Sequence, residues 1–244
     1  MNIHQTIEKM KSMRLTAMAE LYHQSVSQSM YQQMSIDEWM GMLIDHQWDD
    51  RQNKKIKSLI HRSAMTQNVS SVDIDYSSDR NLDRTQYERM LSLQFIHNKE
   101  NIIITGPAGV GKSYLAQAIG YQACHMLHKT QYYILARLFD YARKFQVEGK
   151  YLNYLKGLHK TKLLIIDDFG LHPFKKGDAQ ILLDVIENRH LQASTIINSQ
   201  IPVDGWHQLI GEGTIADAIL DRVVNTAHRI KLDGHSMRKK YKLS

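Results

Sequence analysis

The sequence predicts an α/β chain: a parallel sheet of five strands flanked by helices, preceded by a small all-α N-terminal domain. Three observations predict it. Residues 1–64 place apolar side chains at helical spacing. From Asn101 onward, short β-branched or apolar runs alternate with helical segments, the pattern of a parallel sheet covered on both faces. One of those runs leads directly into a glycine-rich loop and then a helix, the order that sets a phosphate-binding loop at a strand end.

Taken in order, Ile3, Ile7 and Met10 and then Leu15, Met18, Ala19 and Tyr22 mark helical faces. Ser35 and Glu38 have the spacing of a capping box, and Ile36, Trp39, Met40, Leu43 and Ile44 behind them form one apolar face. These Met and Trp side chains suit either packing against one another or a partner surface, with packing the simpler reading. From Asn68 to Asn81 the chain turns polar, with Ser70, Ser71 and Ser77-Ser78-Asp79, and only Val72, Ile74 and Tyr76 alternate as in a short strand. A boundary is placed here, dividing a helical adapter domain (1–67) from a nucleotide-binding domain (68–244). Strands are expected at Ile102–Thr105, Gln131–Leu135, Lys162–Asp167, Ser194–Asn198 and Ala227–Leu232. Helices are expected at Lys112–Leu127, Arg137–Val147, Asp178–His190 and Thr214–Val224.

The chain has 244 residues with 43% hydrophobic content, enough for one α/β domain and a small helical one. It contains no apolar run of about 18 residues, and its single cysteine, Cys124, and the lack of a leader-like start fit a reducing cytoplasm rather than a membrane. The thirteen histidines form no metal-ligand spacing. A net charge of +6 suggests an acidic partner. That charge is concentrated: residues 101–166 carry 9 basic and 2 acidic side chains, and 229–244 carry 6 and 1.

The chemistry centres on Gly106-Pro107-Ala108-Gly109-Val110-Gly111-Lys112-Ser113, which matches G-x-x-x-x-G-K-S/T. Glycines let the backbone amides wrap phosphate oxygens, Lys112 meets the β- and γ-phosphates, and Ser113 offers its hydroxyl to Mg²⁺. Tyr114, next on the helix, completes the ATP-binding set. About fifty residues on, Leu163-Leu164-Ile165-Ile166-Asp167-Asp168 is an apolar strand ending in two carboxylates. Strand alternation sends the two to opposite sides, so Asp167 is assigned to Mg²⁺ and Asp168 to the attacking water.

With these motifs in hand, the chain resembles the IstB-type ATPases that assist bacterial insertion-sequence transposition, themselves similar to the DnaC helicase loaders within the AAA+ class. Besides the two motifs, Met13 to Glu20, Thr195 to Gln200, Ala218-Ile219-Leu220-Asp221-Arg222 and Gly234 to Lys240 carry the likeness. The resemblance implies an AAA+ P-loop ATPase using ATP and Mg²⁺. It further implies that Asn198, or its neighbour Ser199, is the polar sensor of the attacking water. Arg222 is implied as the arginine finger for a neighbouring subunit, where the residues alone equally allow a helix-surface ion pair. Arg238 is implied as a second sensor, or else belongs to the basic tail. Only twelve residues follow Leu232, too few for a multi-helix lid. Most AAA+ proteins have Glu where Asp168 stands; the resembled family commonly has Asp.

Between Arg137 and Lys162, seven cations interleave with Phe139, Tyr141, Phe145, Tyr151 and Tyr154, the mixture of a DNA-facing surface and equally of a solvated amphipathic helix. Arg143, Lys144, Lys150 and Tyr151 are the DNA-binding candidates. The implied activity is an oligomeric ATPase, a ring or spiral, that assembles on duplex DNA and serves a cognate transposase. The alternative is a DnaC-like helicase loader acting on single-stranded DNA, and a small-molecule kinase is disfavoured because Arg222 would then have no task.

Overall fold

The computed structural model describes residues 2–66, 69, 74–76, 79–211 and 213–237. The chain divides into two compact units, Met1–Ser58 and Leu59–Ser244.

The first unit is helical. α1 (Ile3–Ser12) and α2 (Thr16–Ser27) are followed by a short 3₁₀ turn, Met30–Gln33, and then by α3 (Ile36–Arg62), which runs on past the unit boundary. α3 starts in the expected capping box. The Glu38 amide donates to Ser35 Oγ at 3.3 Å, and the Ser35 amide and hydroxyl both donate to Glu38 Oε2 at 2.8 Å. Those bonds from Ser35 hold the Glu38 carboxyl below its ordinary value. The single apolar face expected of this helix divides in two. Trp39 packs between Tyr22 and Tyr31, with ring centroids 5.7 and 5.9 Å away, donates to Ser25 Oγ, and with buried Leu43 faces inward. Ile36, Met40, Ile44 and Trp48, four residues apart, form a stripe that stays exposed.

In the second unit, α4 (Arg84–Leu91) and α5 (Gln94–Asn98) lead into β1 (Asn101–Thr105) and α6 (Lys112–His125). There follow β2 (Thr130–Ile134), α7 (Leu135–Val147), α8 (Tyr151–His159), β3 (Leu163–Phe169) and α9 (Asp178–Glu187). The chain continues through β4 (Ser194–Ser199), α10 (Trp206–Ile210), α11 (Gly213–Val224) and β5 (Ala227–Lys231). All five strands run parallel in the order β2-β3-β4-β1-β5, so the predicted α/β architecture is observed.

Alternation along the strands feeds two cores, one on each face. Ile102, Ile104, Leu163, Ile165 and Ile196 pack on α6 residues Leu115 and Ile119 and on α4 residues Tyr87 and Met90. Ile103, Leu164, Ile166 and Ile197 pack on Leu138 and Phe139 of α7, Leu182 and Val185 of α9 and Ile219 of α11. A parallel sheet needs apolar residues on both sides for this reason, and truncating any one of these side chains to Ala costs about 2–5 kcal/mol.

The strand ends fall within two residues of expectation. The helices α4, α5, α8 and α10 are additional to those expected. Ile74 to Tyr76 form no strand, and Ser70, Ser71, Val72, Ser77 and Ser78 lie outside the described residues, as does Arg238. The expected domain boundary fell after residue 67, whereas the second unit begins at Leu59. Residues just past Leu59 are bonded into the sheet domain: the Tyr132 amide donates to Ser63 O at 2.8 Å, and the Thr66 amide donates to Gln117 Oε1 at 2.9 Å.

Candidate nucleotide site

The glycine-rich loop leaves β1 at its C-terminal end and enters α6 at Lys112, so the unsatisfied first amides of α6 and the loop amides share one place. Val110 is fully buried and pins the loop to the first core, while Pro107 and Ala108 are exposed at its tip. Gly109 and Gly111 take φ of 83° and 98°, which a side chain would strain, and each is also blocked from behind. A Cβ on Gly109 would strike the Ser236 side chain, and one on Gly111 would lie 2.7 Å from Arg80 Nη1. Lys112 is 8% exposed, and its ammonium donates to Gly106 O and Pro107 O, each at 2.7 Å. Ser113 and Tyr114 follow, half-buried on the first turn of α6.

The carboxylate pair sits two strands away, because β4 is inserted between β1 and β3. With strands about 4.8 Å apart, that leaves roughly 10 Å between the loop's strand and the carboxylates' strand. Asn198, at the end of β4, fills the interval: its Nδ2 donates to Asp167 Oδ1 at 3.1 Å. Ser199 is occupied otherwise, donating to Phe169 O and accepting from the Ile201 amide. The side chain that meets the carboxylate is thus Asn198, and Asn198 Oδ1 is buried without a partner.

Asp167 is 2% exposed and held by three donors: Asn198, the Asp168 amide at 2.9 Å and the Tyr132 hydroxyl at 2.7 Å. Burial, and then the charge of Asp167, raise the Tyr132 phenol well above its ordinary value, so it is a neutral donor. Nothing in the sequence singled out Tyr132; the β2–β3 register, with Ile134 opposite Asp167, is what brings it there. Asp168 departs from the regular strand alternation expected at this pair. The register slips by one residue between Ile166 and Phe169, and Asp168 adopts φ 56°. A β-bulge, rather than regular pleating, re-aims Asp168, and Asp is among the few residues that tolerate such a φ.

Arg222 lies at the opposite end of the strands. The carbonyls of Arg222 and Val223 accept from Asn101 Nδ2 at 3.4 Å, at the first residue of β1, whereas the glycine-rich loop follows the last. The Arg222 guanidinium donates to Ala218 O at 2.9 Å and to Glu187 Oε1 at 3.1 Å. Five residues of strand separate the two ends of β1, about 13 Å. The chain's own loop and Arg222 therefore do not meet.

The four nucleic-acid candidates are not equivalent. Arg143 donates to Asp140 at 2.9 Å and also to the buried Asp178. The Tyr151 hydroxyl donates to Asp184 Oδ2 at 2.7 Å. Both side chains are engaged with acids of their own unit. Lys144 and Lys150 are 65% and 63% exposed and share only Glu148, at 3.9 and 3.4 Å. The interleaved aromatics are largely committed to packing: Phe139 is buried, and Phe145 stacks on Tyr154 at 5.0 Å. Among the described residues, no group of three or more His, Cys, Asp or Glu is arranged to hold a metal, and no helix is long and apolar enough to cross a membrane.

The chain is similar to known proteins. Residues 8–244 match the family described as IstB-like ATP binding protein. A relative from Sinorhizobium fredii, "Putative insertion sequence ATP-binding protein y4pL", is 38% identical, the alignment covering 97% of this chain and 96% of the relative. "Insertion sequence IS21 putative ATP-binding protein" from Pseudomonas aeruginosa is 26% identical over 89% of this chain and 82% of its own length. Among solved structures, DnaI superposes with a TM-score of 0.57 at 19% identity, over 68% of this chain and 91% of that one. "Replication initiator DnaA bound to AMPPCP and single-stranded DNA" gives 0.56 at 15%, over 74% and 57%. These two establish a common AAA+ fold. With that fold and a family match spanning both units, the chain belongs to the IstB-like ATP binding protein family and is an ATP-binding P-loop ATPase.

Proposed function

We propose that this ATPase binds DNA, assembles on it with ATP as a homo-oligomer, and recruits or activates a transposase. The observation that carries the reading is the placement of Arg222 at the opposite end of β1 from the glycine-rich loop, paired with Glu187 instead of reaching its own nucleotide site. A cation there serves hydrolysis only in the site of another copy, so assembly becomes part of the chemistry. The names of the relatives supply the context of an insertion sequence.

In this reading the amides of Gly106 to Ser113 bind phosphate, and Lys112 exchanges its two carbonyl contacts for phosphate oxygens. Ser113 and Asp167 offer the oxygen ligands that suit Mg²⁺, which supplies charge neutralisation at the phosphates when bound. Tyr132 and Asn198 keep the Asp167 carboxylate in one orientation. Asp168 positions the attacking water and accepts its proton, and the amide of Asn198 helps orient that water. Arg222 from a neighbour stabilises charge on the γ-phosphate. Arg238 is assigned to the nucleotide because Met237, just before it, donates its amide to Gly109 O at 2.9 Å. Lys144 and Lys150 contact DNA phosphates, with Arg143 and Tyr151 holding the helices that present them. The helical N-terminal region, 1–67, acts as the adapter, and the protein works in the bacterial cytoplasm.

The test is ATP hydrolysis and particle mass measured without DNA, with duplex and with single-stranded DNA. Wild type is compared with Lys112→Ala, Asp168→Asn and Arg222→Ala. Assembly on duplex that survives Asp168→Asn and fails with Lys112→Ala is expected. A monomer under every condition, or assembly on single strands alone, overturns the proposal.

A further inference from the structure

Two arginines of the sheet unit are almost fully buried, Arg80 at 4% and Arg189 at 1% exposure, and they are used in opposite ways. Arg189 is satisfied on every nitrogen. Its Nε donates to Thr195 Oγ1, Nη1 to the carbonyls of Leu158 and Thr161, and Nη2 to that of Ser194. It ties the end of α8 to β4 and needs no further explanation than structure.

Arg80 is poorly satisfied. Nη1 makes a long bond of 3.3 Å to Val110 O, Nη2 donates to Asp75 O at 2.7 Å, and Nε is buried without an acceptor. No carboxylate among the described residues forms an ion pair with it. Burying a cation that has an idle donor and, among the described residues, no carboxylate in an ion pair with it costs stability. Its position is informative: Nη1 holds the carbonyl of a residue inside the glycine-rich loop and lies 2.7 Å from the place of a Cβ on Gly111. The charge therefore sits one backbone thickness behind the amides that face phosphate.

We propose that Arg80 is a nucleotide-site residue, a positioning residue whose fixed charge and bond to Val110 O prepare the loop for a polyphosphate from its rear side, at the expense of stability without nucleotide. The phosphates supply the counter-charge that no carboxylate among the described residues provides by an ion pair. At roughly 8 Å and an effective dielectric of about 20, a unit charge changes the affinity for a phosphate anion tenfold or more.

This inference rests on the reading of Gly106 to Ser113 as the phosphate site, and the experiment separates the two. Dissociation constants for ATP, ADP and AMP, and the melting temperature without nucleotide, are measured for wild type, Arg80→Met, Arg80→Lys, Arg189→Met and Lys112→Ala. Arg80→Met is expected to weaken ATP about tenfold or more, with the loss shrinking from ATP to ADP to AMP. It should melt at or above the wild-type temperature, while Arg80→Lys keeps most of the affinity and Arg189→Met melts markedly lower. Unchanged ATP affinity in Arg80→Met, equal losses for all three nucleotides, or a melting temperature lowered as far as in Arg189→Met overturns the proposal. So does failure of both Arg80 variants to fold. If Lys112→Ala leaves ATP binding intact, the reading of the loop itself fails; if Lys112→Ala abolishes it and Arg80→Met does not weaken it, only the role of Arg80 fails.

Discussion

Tyr132→Phe isolates one contact of the site. The ring stays in the core, where Tyr132 is 8% exposed, and only the hydroxyl that donates to Asp167 Oδ2 at 2.7 Å is lost. A hydrogen bond to a charged acceptor is worth about 1.5–3 kcal/mol, and Asp167 retains two other donors, so a loss of about 2 kcal/mol is expected near neutral pH. For a unit of this size that is a fall of roughly 4–8 °C in melting temperature. The pH dependence has a definite sign. The folded phenol is raised above its unfolded value of about 10, so its contribution is complete below that pH and is lost as pH rises toward the folded value. The gap between wild type and Tyr132→Phe should therefore narrow between about pH 9 and 11. Hydrolysis should fall about tenfold as the carboxylate loses its fixed orientation, with ATP affinity changed less than about threefold. Thermal melts across pH and steady-state hydrolysis at saturating ATP measure both. Equal melting temperatures at neutral pH, or a gap that widens with alkali, refute the reasoning.

Arg189→Met removes the buried guanidinium that donates to the carbonyls of Leu158, Thr161 and Ser194, and should lower unfolding free energy by about 3 kcal/mol or more in a denaturant titration while leaving the slope unchanged. Asp168→Asn and Arg222→Ala should each abolish hydrolysis, yet an equal mixture should recover up to about a quarter of wild-type activity, since an intact Asp168 then meets an intact Arg222 at one interface in four; no recovery on mixing counts against a shared site. Replacing Lys144 and Lys150 with Ala should weaken duplex binding and reduce the salt slope of log K by about two, read from binding isotherms at several salt concentrations. Replacing Arg143 should instead act through stability, because its partner Asp178 is buried and would be left an unpaired charge.

The parts of the fold legible in the sequence are those whose cause is local. A run such as Ile102-Ile103-Ile104 can only be a buried strand beside its glycine turn, and Ser35 with Glu38 announces the start of α3. The short helices were missed because their apolar residues are few and their polar faces resemble loops; α5 and α10 are five residues each. The bulge at Asp168 was invisible since it depends on pairing with β4, not on residue type. At the site, the motif residues were legible by spacing. Tyr132 and Arg80 were not, because a lone Tyr on a strand and a lone Arg in a polar stretch carry no pattern until β2 and the loop place them.

The rear of the glycine-rich loop shows why it cannot be treated as a local motif. Arg80 reaches it from before the sheet, and Leu232 to Met237 reach it from after the last strand. The Leu232 amide bonds Thr105 O at 2.8 Å, the Asp233 amide bonds Arg80 O at 3.0 Å, and the Met237 amide bonds Gly109 O at 2.9 Å. Both ends of the sheet unit therefore converge on the backbone whose amides are meant for phosphate. Since Gly109 and Gly111 are pressed against Ser236 and Arg80, the loop has little room to relax backward when phosphate draws its amides forward. A force on the segment after β5 reaches Gly109 through the Met237 amide bond and the packing of Ser236 behind it. The basic residues that follow, Arg238 to Lys242, are thereby connected to the phosphate site by covalent continuity, whichever surface they bind.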